Sequence, residues 1–264
     1  MLTGVKDFCR KVIFKITGIN SINAAINPMN YFEKIVFEIF TVINKKQIFS
    51  GKFKDINFIK SVRGSEFSPK YFGTYENELD PYFNLFSGST LIDIGCDDGY
   101  YSIGLLKSNY VKQVYAFEIN EQSINNFLKN IELNLLESGK LIFEEKFVSS
   151  FESIAKCFNN TDTYLIKCDI EGGEYPLFSA EMIEAISDYN CSLIIETHIN
   201  AQLEDELIKR FESNSFKVKI INKVLLKNYQ EKLNSLNGII ANVFRKYWLN
   251  EHRPEFNRWI IVTK

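Results

Sequence analysis

The residues best suited to chemistry lie in the stretch LIDIGCDDGYY, residues 91–101. It opens on an apolar run, which is typical of a strand buried on both faces. Gly95 and Gly99 end that run, and apolar residues at helical spacing follow them. A strand that passes through a glycine loop into a helix presents backbone N–H groups to an anionic or zwitterionic ligand. The stretch therefore predicts a ligand site at residues 95–99.

Glu118 indicates the kind of ligand. It follows a second apolar run, residues 114–117, and lies nineteen residues after Gly99. An acidic side chain at the tip of the second strand can accept hydrogen bonds from both hydroxyls of a ribose. The two elements together predict a nucleoside-containing cofactor. The simpler interpretation is an ordinary strand-to-helix turn with two solvated aspartates.

The charge of the loop narrows the choice of cofactor. Dinucleotide-binding loops usually read G-x-G-x-x-G, whose middle glycine lets the backbone approach a pyrophosphate. Here Asp97 occupies that middle position and Asp98 adds a second negative charge. Two carboxylates would repel a pyrophosphate but can pair with an ammonium group. S-adenosylmethionine, which has an amino group, a sulfonium and a ribose but no phosphate, is therefore the predicted cofactor. A nicotinamide-dependent oxidoreductase and a non-catalytic cofactor-binding module are the alternatives.

Composition sets the broad class. The chain has 264 residues, of which 45% are hydrophobic and 24% charged, which is ordinary for a soluble globular protein. Its net charge of −2 provides no global basic field, so we expect no nucleic-acid partner. The five cysteines form no C-x-x-C pair, which favours reduced thiols in a cytoplasmic protein. No signal peptide and no membrane-spanning run is recognised, so we expect neither secretion nor a membrane span.

Residues 1–60 are predicted to form a helical extension ahead of a catalytic domain at residues 61–264. Within it, residues 5–16 place apolar residues at helical spacing with basic residues between them. This pattern favours an amphipathic helix packed on the main domain over weak contact with an anionic membrane surface. Farther on, Tyr75 and Glu76 could close over a cofactor, or they could simply begin a helix.

From residue 91 the pattern alternates strand and helix, which is typical of a parallel sheet. Seven strands are predicted, at residues 91–94, 114–117, 140–144, 164–169, 191–197, 216–223 and 259–262. Helices are predicted at residues 121–136, 150–158, 176–187 and 201–212. The fold class is therefore α/β, Rossmann-like. A long segment, residues 224–258, is predicted to supply acceptor specificity and to contain a lid helix at residues 239–249.

Polar clusters follow three of the predicted strands. They are the loop at residues 95–99, the run Asp169 to Glu174, and the run Glu196 to His198. In an open α/β sheet, ligands bind beyond the carboxyl ends of the strands. Solvated charges need not be confined to one edge of a sheet, so the three clusters together indicate one shared functional site.

The motifs DIGCDDGYY, VYAFEIN, IKCDIEGGE and IIETH, in this order and spacing, resemble the FkbM-like family of class I S-adenosylmethionine-dependent methyltransferases. The resemblance runs from about Gly73 to about Phe211 and includes the upstream G-x-Y-E. It implies a seven-stranded, mostly parallel sheet with a reversed last strand. It also implies O-methylation of a small molecule, often a sugar or a glycoside. The family commonly has Ala-Asn where this chain has Cys96 and Asp97, which puts contacts near the methionine end in doubt.

The resemblance also implies roles for matching residues. The methionine portion of the cofactor would be held by Asp93, Gly95, Asp97 and Gly99. Glu118 would bind the ribose, Asn120 the ribose or the adenine edge, and Asp169 would face the sulfonium. Apart from the resemblance, the residues proposed for the substrate are Glu171, His252 and Arg253, with Arg258 as a further cation for an anionic group.

His198 is the candidate proton acceptor, because methylation of a hydroxyl requires a base as the new bond forms. It follows the fifth predicted strand closely, and Glu196 precedes it by two residues. His252, the other histidine, is the competitor. Asp169, Glu196 and His198 could instead hold a divalent metal such as magnesium, although no ligand spacing is diagnostic. Glu171 and Glu174 could alternatively cap the following helix.

Overall fold

One seven-stranded sheet organises the part of the chain that the structure describes. This structure, a computed structural model, describes residues 47–59, 67–198, 201–222 and 258–264. The strands are β1 (Ser89–Ile94), β2 (Val111–Glu118), β3 (Leu141–Glu145), β4 (Thr163–Cys168), β5 (Asn190–Thr197), β6 (Lys217–Ile221) and β7 (Arg258–Thr263). Their order across the sheet is β3-β2-β1-β4-β5-β7-β6.

Strands β1 to β5 pair in parallel, whereas β7 runs antiparallel to both β5 and β6. The predicted α/β sheet with a reversed last strand is thereby confirmed. The strand order changes direction between β1 and β4, which lie side by side although β2 and β3 intervene in the chain. Such a switch point opens a crevice beyond the carboxyl ends of the strands.

The central strands are buried on both faces, as their apolar sequences predict. All six residues of β1 are buried. Leu91 belongs to one hydrophobic cluster, and its neighbours Ile92 and Ile94 belong to the other. Because successive side chains of a strand point to opposite faces, the two clusters lie on the two sides of the sheet.

Seven α-helices are described: α1 (Phe67–Phe72), α2 (Asp80–Phe83), α3 (Tyr100–Lys107), α4 (Glu121–Asn134), α5 (Glu174–Leu177), α6 (Ala180–Ser187) and α7 (Ala201–Ser213). The predictions for residues 121–136 and 201–212 are confirmed by α4 and α7. The single helix predicted at residues 176–187 is wrong, because the chain breaks between α5 and α6. The Ser179 side chain accepts a hydrogen bond from the Met182 N–H and starts a new helix there.

The helix predicted at residues 150–158 is also wrong. Two short 3₁₀ turns, Phe151–Ser153 and Ala155–Cys157, replace it. The turns bury Ile154 and Cys157 in the core. Tertiary packing therefore overrides the apolar spacing that predicted an α-helix.

Of the predicted N-terminal extension, the structure describes residues 47–59. They form turns and an isolated antiparallel bridge between Gln47 and Asn57 rather than a helix. Phe53 and Phe58 are buried and pack edge-on against Tyr100 of α3. The helix predicted at residues 5–16 and the lid helix at residues 239–249 lie outside the described residues. The domain boundary near residue 60 stays a prediction.

Within the described ranges, no helix is both long and apolar enough to cross a bilayer.

Candidate active site

A cavity of about 560 Å³ lies beyond the carboxyl ends of β1, β2, β3 and β4. Its volume suits a small-molecule ligand. The predicted cofactor residues that line it are Tyr75, Gly95, Asp97, Glu118, Asn120 and Asp169. The glycine loop, the tip of β2 and the tip of β4 therefore meet at one cavity.

Asp93, Glu76 and Gly99 are not among the lining residues. Asp93 is buried in β1, where it accepts a hydrogen bond from Ser102 Oγ at 2.7 Å. Glu76 is buried and accepts a hydrogen bond from the Tyr101 hydroxyl. A Cβ at Gly99 would lie 2.0 Å from the Phe127 ring, so glycine is needed there for packing. Any effect of these three residues on a ligand is transmitted through the wall that they support.

Gly95 lets the loops after β1 and β4 come into contact. Its φ is +77°, and an added Cβ would lie 2.0 Å from the backbone oxygen of Asp169. Both the backbone conformation and the space exclude a side chain. The close approach places the glycine loop and Asp169 in the same cavity wall.

Backbone N–H groups fix the carboxylate of Glu118 in the wall. Its Oε1 accepts hydrogen bonds from the N–H groups of Ile119 and Asn120, both at 2.8 Å. Its Oε2 accepts a hydrogen bond from the Asp97 N–H at 3.0 Å. A carboxylate offers about four lone-pair sites, so acceptor capacity remains for ligand hydroxyls. The Asn120 side chain caps α4, accepting from the Ser123 N–H at 3.1 Å.

Lys70 changes the interpretation of the two loop aspartates. Its Nζ lies 3.2 Å from Asp97 Oδ2 and within 3.1 Å of both carboxylate oxygens of Asp98. Asp98 is buried, and burial raises its pKa to about 6 although Lys70 opposes the shift. Partial burial would raise the pKa of Asp97, but the Lys70 charge and a hydrogen bond from Ser123 outweigh it and lower the pKa. The expectation that both aspartates await a ligand ammonium is therefore wrong for Asp98.

Lys70 gave no recognisable signal in the sequence, because it lies in a segment without clear periodicity. Lys167 did give a recognisable signal, because it is a lone charge in the apolar strand β4. Its Nζ lies 3.7 Å from both Asp93 Oδ1 and Asp169 Oδ2, among the rings of Tyr101 and Trp259. Burial alone would lower the pKa of Lys167, but the surrounding carboxylates raise it above its ordinary value. Lys167 thus stays positively charged at the cavity wall.

His198 and Glu196 are not among the lining residues, but His198 lies against Asp169 and Glu171, which do line the cavity. Its Nδ1 is 3.1 Å from Oε1 of the buried Glu174. Its Nε2 is 3.5 Å from Glu171 Oε2, 3.7 Å from Glu196 Oε2 and 3.9 Å from Asp169 Oδ1. We call these five residues the acid–imidazole cluster. The predicted residues after β4 and β5 are therefore brought together.

Glu174 is the member of this cluster whose role sequence reasoning missed. Its carboxylate accepts hydrogen bonds from the N–H groups of Ile170 at 2.8 Å and Gly172 at 2.9 Å. It therefore braces the loop after β4 rather than capping the helix beyond it. The same carboxylate fixes the orientation of the His198 ring through Nδ1.

The pKa of His198 is raised above its ordinary value of 6.5. Burial would lower it, but the hydrogen bond that His198 donates to Glu174 and the charges of Glu174, Asp169 and Glu171 outweigh burial. The imidazole therefore holds a proton more tightly than a solvated histidine does.

The cluster also brings three possible metal-ligand atoms close together. Asp169, Glu196 and His198 each offer one ligand atom, and these atoms lie within 4.8 Å of one another. Two carboxylates with an imidazole suit a transition metal better than magnesium, which prefers an all-oxygen set. A protonated His198 balances the same carboxylates without an ion.

The predicted substrate residues have different positions. Glu171 lines the cavity, and its side chain is 83% exposed. His252 and Arg253 lie outside the described residues. Arg258 forms an ion pair with the buried Glu204 at the start of β7, so the suggestion that it binds an anionic substrate loses support.

Comparison with known proteins adds a sequence match. The family model described as a methyltransferase domain matches residues 82–145, from α2 to the end of β3. A search of curated proteins gives no significant match.

Solved structures similar to this chain include three methyltransferases. The precorrin-6y C5,15-methyltransferase of Geobacter metallireducens is 15% identical; 72% of this chain and 88% of that one align, with a TM-score of 0.49. The ribosomal protein L11 methylase of Lactobacillus delbrueckii is 12% identical, with 81% and 89% aligned and a TM-score of 0.47. A putative tRNA (m1A22) methyltransferase of Streptococcus pneumoniae is 18% identical, with 69% and 70% aligned and a TM-score of 0.42.

Similarity at this level says nothing about the substrate of this chain, and the fold assignment rests on the strand order itself. Residues 82–145 match a methyltransferase domain, and they lie in a Rossmann-like sheet with the reversed strand predicted for the class I methyltransferase fold.

Proposed function

We propose that the protein is an S-adenosylmethionine-dependent methyltransferase that methylates a hydroxyl of a sugar, a glycoside or a related small molecule. The observation that carries the proposal is the shared cavity. It places Glu118, Asp97 and the glycine loop in one wall with Asp169. Its dimensions and acceptor groups suit a nucleoside that carries an ammonium group.

The residues of the wall fit this cofactor. Glu118 would accept the ribose hydroxyls, because its carboxylate is already held in place by three backbone N–H groups. Asp97, the more exposed loop aspartate, would accept the ammonium. The absence of a side chain at Gly95 keeps the loop and Asp169 close together. When bound, the cofactor supplies an electrophilic methyl group.

His198 would take the proton of the acceptor hydroxyl. Glu174 holds Nδ1, which leaves Nε2 as the nitrogen that exchanges a proton with the substrate. The raised pKa makes His198 a stronger base than a solvated imidazole once it is deprotonated. Asp169, Glu171 and Glu196 surround Nε2 and would stabilise the imidazolium that forms.

The acceptor is proposed from the resemblance to the FkbM-like family. Glu171 at the cavity, together with His252 and Arg253 in the segment 224–258, would contact it. A sugar fits a wall rich in carboxylates, which can accept hydrogen bonds from hydroxyls. The net charge of −2 argues against RNA as the acceptor, although one similar structure is a putative tRNA methyltransferase.

A metal-assisted variant has one observation in its favour, the convergence of Asp169, Glu196 and His198. A divalent cation there would acidify the acceptor hydroxyl. Chelation with EDTA followed by addition of Mg²⁺ or Mn²⁺ tests it, since turnover that survives chelation rules the variant out.

We also propose a cytoplasmic location. Cys96, Cys157, Cys168 and Cys191 are all free and buried, and unpaired thiols suit a reducing compartment.

Two measurements test the proposed function. Calorimetric titration with S-adenosylmethionine and with NAD should show binding of the first and not of the second. Transfer of a labelled methyl group should then be measured to a panel of glycosides, with bulk tRNA and ribosomal protein as competing acceptors. Binding of NAD instead would favour the oxidoreductase, and labelling of tRNA or protein would overturn the carbohydrate proposal.

A further inference from the structure

An ammonium and a carboxylate lie side by side in the cavity wall at the glycine loop. Lys70 and Asp97 both line the cavity, and their charged atoms are 3.2 Å apart. Lys70 reaches the loop from α1, twenty-seven residues upstream of Asp97. The wall thus presents a positive and a negative group at neighbouring positions. A ligand whose ammonium and carboxylate share one carbon atom matches both charges of this pair.

The environment of Lys70 keeps both members of the pair charged. Asp98, whose side chain is 1% exposed, accepts from Lys70 with both oxygens and balances its charge inside the protein. Asp97 is 39% exposed and is held by a hydrogen bond from Ser123 Oγ at 2.6 Å. Asp98 therefore balances the charge of Lys70, and Asp97 remains the loop carboxylate within reach of a ligand.

The Tyr100 hydroxyl is a second, independent indication of a ligand here. Tyr100 lines the cavity and is 3% exposed, and its hydroxyl has no hydrogen-bond partner within the described ranges. Its ring centroid lies 5.8 Å from Lys70 Nζ. Buried hydroxyls in proteins are nearly always paired, so an unpaired one at a cavity indicates a missing acceptor atom. A ligand carboxylate would provide that acceptor.

The two other lysines of the wall have different surroundings. Lys146 donates a hydrogen bond to the Ser153 backbone oxygen at 2.8 Å, beyond β3. Lys167 lies between Asp93 and Asp169. Of the three, Lys70 is the one whose ammonium meets the aspartates of the glycine loop.

We propose that Lys70 binds the amino-acid carboxylate of the cofactor, with the Tyr100 hydroxyl as a second donor, while Asp97 binds the adjacent ammonium. The inference rests on the proposed function and adds the group that recognises the zwitterion. It makes Lys70 and Tyr100 determinants of cofactor specificity, since a sulfonium nucleoside without the carboxylate would offer no acceptor atom to the Tyr100 hydroxyl and no anionic group to Lys70.

Two ligands that differ in one group test the proposal. Decarboxylated S-adenosylmethionine keeps the ammonium, the sulfonium and the ribose but lacks the carboxylate. The wild type should bind S-adenosylmethionine roughly 10- to 100-fold more tightly than the decarboxylated ligand, as expected for hydrogen bonds to a charged group. Lys70→Met should remove this preference by weakening binding of the intact cofactor alone. Lys70→Arg should retain it, and Tyr100→Phe should reduce it by roughly threefold to tenfold.

Other outcomes overturn the inference. Equal weakening of both ligands by Lys70→Met would show that Lys70 only supports the loop. Unchanged or tighter binding of the intact cofactor would show that Lys70 does not bind it or competes with its ammonium. Failure of the wild type to bind either ligand would overturn the proposed function itself. The outcomes above overturn only the role of Lys70, so the two failures can be distinguished.

Two further variants keep the test decisive. Lys70→Met leaves Asp98 buried without its partner, so the double variant Lys70→Met with Asp98→Asn removes both charges together. It should show the same loss of preference. Lys112→Met is the matched control, because Lys112 also pairs with an aspartate, Asp162, at 2.5 Å, but does not line the cavity. This control should keep the wild-type preference.

Discussion

The carboxylates at the glycine-loop end of the cavity have different partners from those of the acid–imidazole cluster. At the loop, Glu118 accepts from three backbone N–H groups, and Asp97 and Asp98 share Lys70. At the cluster, Asp169, Glu171 and Glu196 all approach one nitrogen of His198 at 3.5–3.9 Å. The first end holds its carboxylates against backbone N–H groups and one ammonium, whereas the second shares one titratable ring among several acids.

This difference separates two tasks. A group that binds a ligand works best when its own position is fixed, as the position of Glu118 is by three backbone N–H groups. A group that moves a proton must change charge, and neighbouring acids can stabilise its protonated form. We therefore expect variants at the loop to change affinity and variants at the cluster to change turnover.

The largest expected effect is on the rate of methyl transfer, when His198 is replaced. His198→Gln should reduce methyl transfer to an acceptor identified by the glycoside screen by roughly 100- to 10,000-fold, the usual contribution of a general base. Affinity for the cofactor should stay near the wild-type value, which calorimetry measures. His252→Gln is the comparison variant and should raise KM more than it lowers kcat. Full turnover in His198→Gln would place the proton acceptor elsewhere.

At the other end, Glu118→Ala should weaken binding of S-adenosylhomocysteine roughly 100-fold. This corresponds to two hydrogen bonds to a charged group at about 1.5 kcal/mol each. Glu145→Ala is the matched control, because Glu145 is the register partner of Glu118 on β3 but is exposed and outside the cavity lining. Equal affinity in both variants would remove the ribose assignment.

Gly95→Ala tests whether the loop must touch Asp169. A Cβ there adds both left-handed backbone strain and a contact of 2.0 Å with backbone, and should reduce the free energy of unfolding by about 3 kcal/mol. Gly139→Ala separates the two causes, since its φ is +84° but its Cβ would meet nothing within 4 Å. It should lose only about 1 kcal/mol. Urea denaturation measures both, and equal losses would contradict the close contact.

The smallest expected effect is on the titration of His198. Glu174→Gln removes the charge that does most to raise its pKa, so the pKa should fall. NMR can follow this directly, because the chain has only two histidines. Glu171→Gln should lower the pKa less, since Glu171 is well exposed and screened by water. A larger shift in Glu171→Gln would show that Glu174 does not control the ring.

The raised pKa of His198 in the wild type also makes the free energy of unfolding depend on pH. The raised pKa means that the folded state holds the His198 proton more tightly than the unfolded state does. This contribution to the free energy of unfolding is complete below pH 6.5 and is lost as the pH rises through the raised pKa. Glu174→Gln should reduce that dependence, which denaturation at several pH values would show.

The sequence by itself determined the elements that depend on local pattern. Apolar runs predicted all seven strands, and the spacing from the glycine loop to Glu118 predicted two groups that share a cavity wall. For central strands such as β1 and β4, these predictions succeed because burial on both faces of a parallel sheet requires a continuous apolar run. The positive φ of Gly95 favours glycine for an equally local reason.

Only the tertiary structure decided which charges meet. Lys70 reaches Asp98 across twenty-eight positions, and Glu174 reaches His198 across twenty-four. No periodicity encodes such pairs, because they depend on how α1, the β4 loop and the tip of β5 lie against one another. The break before α6 and the turns at Phe151–Cys157 have the same origin, since packing against the sheet outweighs the small free-energy differences of helix propensity. Local pattern thus places the strand ends, and long-range packing decides which of their charges are free to act.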